Sequence, residues 1–491
     1  MLISTINFKR PTSRPTLEPP IMPILSRRTL LKASAVATAY GAGLGIASRF
    51  QGTRMAFAAP KPLEIEARFT SATLDGSHET KKLMSFALPG QTAAMPPTIR
   101  MRRGEPFAAK LINHIDDATT IHWHGLRIPN AMDGVPFLTQ PYVYQGDSFD
   151  YAFTPPDAGT FWYHPHCNTL TQMATGMTGM IVVEDPDDPA FDAEIDLNLR
   201  DWRLGDDGQF IALFKPRDTA RAGTFGTVRT ANWQVEPRYD APSGGLTRVR
   251  IVNTDVTRIY TLKLEGAEAV IVALDGQPVP AILPMQLAIV APGQRMDIIL
   301  KMPDSEGSEA RLTDIRPSTP KTVVSFRATG ASLKRALKDV PPLRPNLFDK
   351  PDLSSAQHIP LVLSATAENG AKESICGTLG YSFWAINKVT WPGDTPDPTA
   401  PLAELKLGKS YIFDLVNDTP HAHPIHLHGM NFQVIASNNR PAVPLISDTY
   451  LVMPDEKVQL ALVADNPGDW VLHCHIIEHQ KTGMTSYVRV S

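Results

Sequence analysis

Ten histidines, one cysteine and one methionine of this 491-residue chain fall into four short clusters. The clusters are His122-Trp123-His124, His164-Pro165-His166, His423-Pro424-Ile425-His426-Leu427-His428, and His473-Cys474-His475 followed by His479 and Met484. With 14 histidines in the chain, a His-x-His triplet is expected by chance about 0.4 times. It occurs five times. Side chains on an extended strand alternate between faces, so both imidazoles of such a pair project to one side. Neutral imidazoles converging on a point suit copper, zinc, iron or nickel. The last cluster narrows the choice: two histidines, a thiolate and a distant thioether form the trigonal site of blue-copper electron transfer. Within His473-Cys474-His475 the thiol points to one side and its neighbours to the other. One tripeptide can therefore serve a mononuclear copper and a second metal cluster on opposite faces, with Cys474 as the conductor between them.

These clusters resemble those of the multicopper oxidases, the family of laccases, ascorbate oxidases, ferroxidases and bacterial cuprous oxidases. The resemblance runs from about residue 62 to the end and covers all four signatures. It implies four copper ions: one type 1, one type 2 and two type 3. The type 1 ion would be held by His423, Cys474 and His479 with Met484 axial, and the type 2 ion by His122 and His426. The type 3 pair would take His124, His164, His166, His428, His473 and His475. The resemblance also gives a role to Asp133, nine residues after His124, as an acid that assists proton delivery at the cluster. Many bacterial members carry a glutamate directly after the second type 1 histidine. Here Gln480 stands in its place, an amide that cannot donate and reaccept a proton at neutral pH. Glu478 lies next to that ligand, and strand alternation would turn it away.

The elements that must position these ligands are legible as an internal repeat. Phe107–Asn113 leads to His122, and Tyr411–Asn417 leads to His426, with the asparagine nine residues before the histidine in both. A third copy is Thr247–Asn253, where Leu262 and Leu264 replace the ligand pair. Asp157–His166 aligns without gaps with Asn466–His475, and Gly176-Met177-Thr178 answers Gly483-Met484-Thr485. The first copy therefore has Pro165 in place of the thiolate and Thr119 in place of His423. Short alternating segments broken by Pro, Gly, Asn and Asp are the pattern of β-sandwiches. The fold class expected is all-β, three cupredoxin-like Greek-key β-sandwich domains at 62–186, 190–340 and 355–491. The first would carry half of a trinuclear site, the second no ligands, and the third the type 1 copper with the other half. The proline-rich stretch from Leu333 to Asp352 is expected to link the second and third domains.

A net charge of −3 gives no electrostatic case for a nucleic-acid or membrane-surface partner. Forty-four prolines exceed the average usage of ~5% and suit strands and turns. Residues 1–58 are expected to be a Tat signal peptide: Arg27-Arg28 with Leu30, Leu31 and Lys32 precede a short apolar run, and Ala56-Phe57-Ala58 forms a cleavage site. The Tat export machinery would carry the protein to the periplasm, with no membrane anchor after processing; Met1 and Met22 both stay open as starts. A monomer is expected. Cys167 and Cys376 form either a disulfide or two buried thiols. His78, His114, His358 and His421 match no ligand position, although His421 is close enough in sequence to His423 to sit near the substrate mouth.

The function expected is four one-electron oxidations of a small reducing substrate, a phenol or aromatic amine as in laccases, coupled to reduction of dioxygen to water. The alternative is a metallo-oxidase of cuprous or ferrous ion; a methionine-dense insertion for cuprous ion is missing from the sequence. A copper-free periplasmic scaffold of the same fold is the non-enzyme alternative, and it would lack ligand histidines that this chain has. The three-fold repeat excludes a two-domain nitrite reductase.

Overall fold

A computed structural model describes residues 61–365, 379–393, 400–441 and 444–491. The segment expected to be an export signal and Cys376 lie outside the described residues. Six sheets are present among them, two for each copy of the sequence repeat. In the first copy, a four-stranded sheet (Glu79–Ala87, Leu63–Thr73, Phe107–Asn113, Ser148–Phe153) faces another (Ile99–Arg102, Gly179–Glu184, Gly159–His164, His122–His124). The second and third copies each pair a six-stranded with a five-stranded sheet. One apolar core fills each sandwich and draws on both sheets: Ile65, Leu111 and Tyr151 meet Trp123, Phe161 and Ile181 in the first. Side-chain direction alternates as the pattern requires, with Trp123 in that core while His122 and His124 join the histidine groups on the other side.

The sheets are mixed rather than purely antiparallel, and the mixture repeats. Leu63–Ala67 runs parallel to Ala109–Asn113, Ala193–Leu199 to Thr247–Asn253, and Gln357–Leu363 to Tyr411–Asn417. Each copy therefore enters its sandwich beside the same strand, the one that ends in the repeated asparagine.

That asparagine has a common task. Asn113 donates through Nδ2 to Asp117 O (2.8 Å) and Val143 O (2.9 Å). Asn253 donates to Arg258 O and Val290 O, both at 2.8 Å. Asn417 donates to His421 O (2.7 Å) and Met453 O (2.8 Å). Each amide is a buried pin. It satisfies carbonyls that the turn leaves without ladder partners and so fixes how the next strand begins. In the first and third copies that next strand carries metal-ligand candidates.

The connection between the second and third sandwiches is held down, not loose. Asn346 accepts from Ala158 N (2.9 Å) and donates to Ala158 O (2.9 Å) and Gln277 Oε1 (2.7 Å), so it touches the first and second sandwiches at once. Arg127 forks onto Asp157 at 2.8 and 2.9 Å, reaches Asp465 at 2.8 Å, and stacks over Phe348. First and third sandwiches are thereby clamped together with the linker. No helix of the described residues is long and apolar enough to cross a membrane.

Arg127→Met leaves the nearly inaccessible Asp157 carboxylate without its cation. Removing one partner of a buried pair costs about 3 kcal/mol, and thermal unfolding followed by circular dichroism should show a clearly lowered midpoint. An unchanged midpoint would mean that the clamp contributes nothing.

Candidate metal centre

The strand His423–Leu427 pairs antiparallel with Gly468–Cys474, with Ile425 opposite Cys474 and His426 opposite His473. The chain then leaves the sheet and turns into the short helix Ile477–Lys481, which presents His479. Three atoms converge as a result: His423 Nδ1 and His479 Nδ1 are 3.1 Å apart, and Cys474 Sγ is 3.6 Å from each. None of the three side chains is exposed. The far nitrogen of each imidazole is anchored. His479 Nε2 donates to Arg221 O (2.8 Å), and His423 Nε2 donates to Thr419 Oγ1 (2.8 Å). The Thr419 hydroxyl donates on to Asn417 Oδ1 (2.8 Å), so the repeated asparagine also orients a candidate ligand. With both Nε2 atoms protonated, both Nδ1 lone pairs face the sulfur.

Electrostatics agree. Burial holds His423 far below the ordinary histidine value and brings His479 down to about 3. It pushes the Cys474 thiol well above its usual value. Two bare lone pairs crowding a thiol in a dry pocket are reconciled by a cation, which would bind the nitrogens and deprotonate the sulfur outright. Met484 is fully buried in the same cluster as Cys474, and its main chain accepts from Cys474 N and donates to His479 O, both at 3.0 Å. The Trp384 ring covers both imidazoles, with centroids 5.0 Å from His423 and 4.6 Å from His479. Trp384 and the Arg221 carbonyl were not foreseen from the sequence, since neither carries a motif. His421 does sit at this edge, its ring 6.0 Å from Trp384.

The other eight histidines meet where the first and third sandwiches touch. Their ligand atoms fall into three close groups: His124, His164 and His475; His166, His428 and His473; and His122, His426 and His124 again. Every group draws on both sandwiches. His122 stacks on His428 at 3.8 Å and His124 on His426 at 3.7 Å, so the two His-x-His strands face each other in reversed order. That is the approximate two-fold relation expected when two copies of one domain share a site.

One nitrogen of most rings is held so that the other is free. His122 Nδ1 donates to Asp133 O (2.8 Å), His164 to Pro165 O (3.0 Å), His426 to Asp448 O (2.9 Å), His428 to Asp133 Oδ2 (2.8 Å) and His473 to Cys474 O (2.9 Å). His124 is reversed: its Nε2 faces Thr449 Oγ1 (3.3 Å) and its Nδ1 is bare. Buried imidazole nitrogens of His122, His124, His164, His166, His426 and His475 have no partner. Leaving so many polar atoms dry and unpaired is costly unless a metal takes them. Burial, reinforced by the neighbouring rings, holds His124, His164, His166, His428, His473 and His475 far below the usual value, hence neutral and able to ligate. The donor set fits copper.

Asp133 lies against this cluster, bridging His122 and His428 from different sandwiches. Gln480 is buried with its amide nitrogen 3.5 Å from His166. Glu478 does face away, but because the chain is helical there rather than extended; it accepts from Thr224 N (2.6 Å) and the hydroxyls of Thr219 and Thr224. In the first sandwich the counterpart of the trigonal centre is closed by a hydrogen bond: Thr119 Oγ1 donates to Gln172 Oε1 (2.8 Å), above the buried Met177. Gln172 stands where the repeat would put His479, a replacement the sequence reading overlooked. Cys167 is buried and disulfide-bonded.

Family models described as multicopper oxidase match residues 79–188 and 366–491. The chain is 27% identical to the multicopper oxidase MmcO of Mycobacterium tuberculosis over 90% of its own length and 94% of the relative's. It is 35% identical to a multi-copper oxidase of known structure from Pseudomonas thermotolerans, with a TM-score of 0.78 over 88% of this chain and 99% of that one. A second, from Pseudomonas parafulva, is 36% identical with a TM-score of 0.76, over 88% of this chain and 100% of that one. Buried imidazole clusters shared between the outer two of three β-sandwiches, and these likenesses over nearly whole chains, identify the protein as a member of the multicopper oxidase family, oxidoreductases that reduce dioxygen.

Proposed function

We propose that the protein oxidises phenols or aromatic amines one electron at a time and passes the electrons to dioxygen, with four coppers in the roles the sequence suggests. In this reading His423, Cys474 and His479 hold a type 1 ion with Met484 axial. His122 and His426 hold a type 2 ion. The type 3 pair divides as the close groups divide, His124, His164 and His475 for one ion and His166, His428 and His473 for the other. Copper bound there supplies one-electron redox at the trigonal centre and reduction of dioxygen to two waters, with four electrons and four protons, at the cluster.

The observation that carries the reading is the double engagement of one tripeptide. Cys474 Sγ lies 3.6 Å from the two Nδ1 atoms of the trigonal centre, while its neighbours His473 and His475 belong to two different groups of the cluster. An electron leaving the thiolate crosses only the cysteine side chain, a few backbone bonds and an imidazole. The His473 ring also donates to the carbonyl of Cys474 itself (2.9 Å), which offers a parallel hydrogen-bonded route. All eight cluster rings are buried, so bulk water is kept from the site where dioxygen would react. Asp133, in contact with two cluster rings, keeps the proton-delivery role proposed from the sequence, alongside the task of orienting His428.

The rim of the trigonal centre supports an organic donor. Arg221 is exposed there, its carbonyl capping His479, with the half-buried His421 at the same edge, while the Trp384 ring is buried. An exposed guanidinium favours an electron-rich ring over a metal cation. The twin-arginine sequence supports export to the periplasm by the Tat machinery as part of the same proposal.

Cys474→Ser should abolish the blue colour and the oxidase activity while the histidine cluster still takes up copper; a variant that stays blue would refute the assignment. His122→Ala and His426→Ala, on different sandwiches, should each remove the same type 2 signal from the electron paramagnetic resonance spectrum, and loss in only one would contradict a shared site. Among a methoxyphenol, a ferrous salt and a cuprous complex, the phenol should give the highest kcat/KM. A clear preference for either metal ion would replace the phenol-oxidase reading with the metallo-oxidase one.

A further inference from the structure

The second sandwich carries no ligand, yet one of its turns reaches the cluster. Pro292-Gly293-Gln294-Arg295 leads into the strand Arg295–Lys301. Gly293 lies at φ +87°, and a Cβ there would stand 2.9 Å from the His475 ring and 3.2 Å from His124. Only a bare main chain can back onto both imidazoles at that distance. Gln294 Nε2 donates to Thr449 O (3.1 Å).

Arg295 is fully buried, and every one of its five N–H groups is used. Nε donates to Thr160 O (3.3 Å) of the first sandwich. Nη1 and Nη2 donate to Gly293 O (3.0 Å) and Asp275 O (2.9 Å) of the second. The same two atoms fork onto Asp448 at 2.7 and 2.5 Å in the third. The planar guanidinium suits this two-pronged grip, which a lysine could not reproduce. Asp448 in turn meets the cluster: Oδ1 is 3.3 Å from His426 Nδ1 and 3.4 Å from His124 Nε2, and it accepts from Thr449 Oγ1 (2.7 Å). Asp275 closes the frame by accepting from Ser447 Oγ (2.6 Å).

We infer that Arg295 of the ligand-free sandwich is a positioning residue of the trinuclear site, holding Asp448 so that His426 and His124 present their bare nitrogens at the seam of the outer sandwiches. The inference rests on the copper assignment above. It gives the middle sandwich, which carries no ligand of its own, a part in metal retention. It also accounts for His124 being reversed, since Asp448 and Thr449 occupy its Nε2 side.

The test uses the full-length copper-loaded protein and three variants. Arg295→Met removes the grip, Arg295→Met/Asp448→Asn removes the stranded charge as well, and Arg295→Lys keeps the charge without the fork. Copper per chain, the blue absorption and the type 2 resonance signal are followed during titration with a chelator. Each variant that folds should keep the blue band, because no atom of the trigonal centre touches this network. The type 2 signal should be lost at about 10–100-fold lower chelator concentration than in the wild type, the usual cost of losing an outer-shell partner of a metal ligand, with Arg295→Lys between the two. Identical chelator midpoints in wild type and variants would overturn the inference. So would loss of both signals together in all three, which would mark Arg295 as a general fold residue. A wild type with neither signal would instead refute the copper assignment itself.

Discussion

Everything in this molecule answers to one constraint: ten imidazoles must be kept dry, neutral and aimed, most of them with one nitrogen tied down and the other left bare. Burial supplies the neutrality by making the protonated form unaffordable in a medium without water. The aim comes from hydrogen bonds, most of them from imidazole N–H groups to main-chain carbonyls such as Arg221 O, Pro165 O, Asp448 O and Cys474 O. Bare nitrogens without metal carry a desolvation cost that the rest of the fold must offset. The three cores and the clamps at Arg127 and Arg295 do so by fixing the sandwiches against one another.

Duplication explains how such a site arises in space. A strand bearing His-x-His buries its partner residue in its own core and leaves two imidazoles on its outer face. Two copies related by an approximate two-fold axis then stack those faces, His122 on His428 and His124 on His426. The same relation shows what each copy has kept. His164 and His473 make the same hydrogen bond to the carbonyl that follows them, whether that residue is Pro165 or Cys474. Where the first copy dropped the trigonal centre, Thr119 and Gln172 bond to each other and leave no unpaired polar atom between them.

The sequence carried those parts of the site that depend on local spacing. His-x-His triplets, the asparagine nine residues ahead of them and the Gly-Met-Thr echo were all readable because alternation and turns act over a few residues. The asparagine's task was not readable, since its acceptors Val143, Val290 and Met453 lie about thirty residues on. Arg295 and Asp448 stand 153 residues apart with no pattern in common, and a carbonyl cap such as Arg221 O leaves no side-chain signature at all. Glu478 was judged by strand alternation that stops where the helix Ile477–Lys481 begins. The linker, read from its prolines as a crossing between the second and third domains, is pinned by Asn346, whose partners are again remote in sequence.

What fills the two centres decides the copper assignment. Metal analysis of the purified, copper-loaded protein together with its visible absorption spectrum addresses this directly. Four coppers per chain and an intense blue thiolate-to-copper band are expected. A colourless protein, or one that holds zinc at these positions and refuses copper, would contradict the assignment.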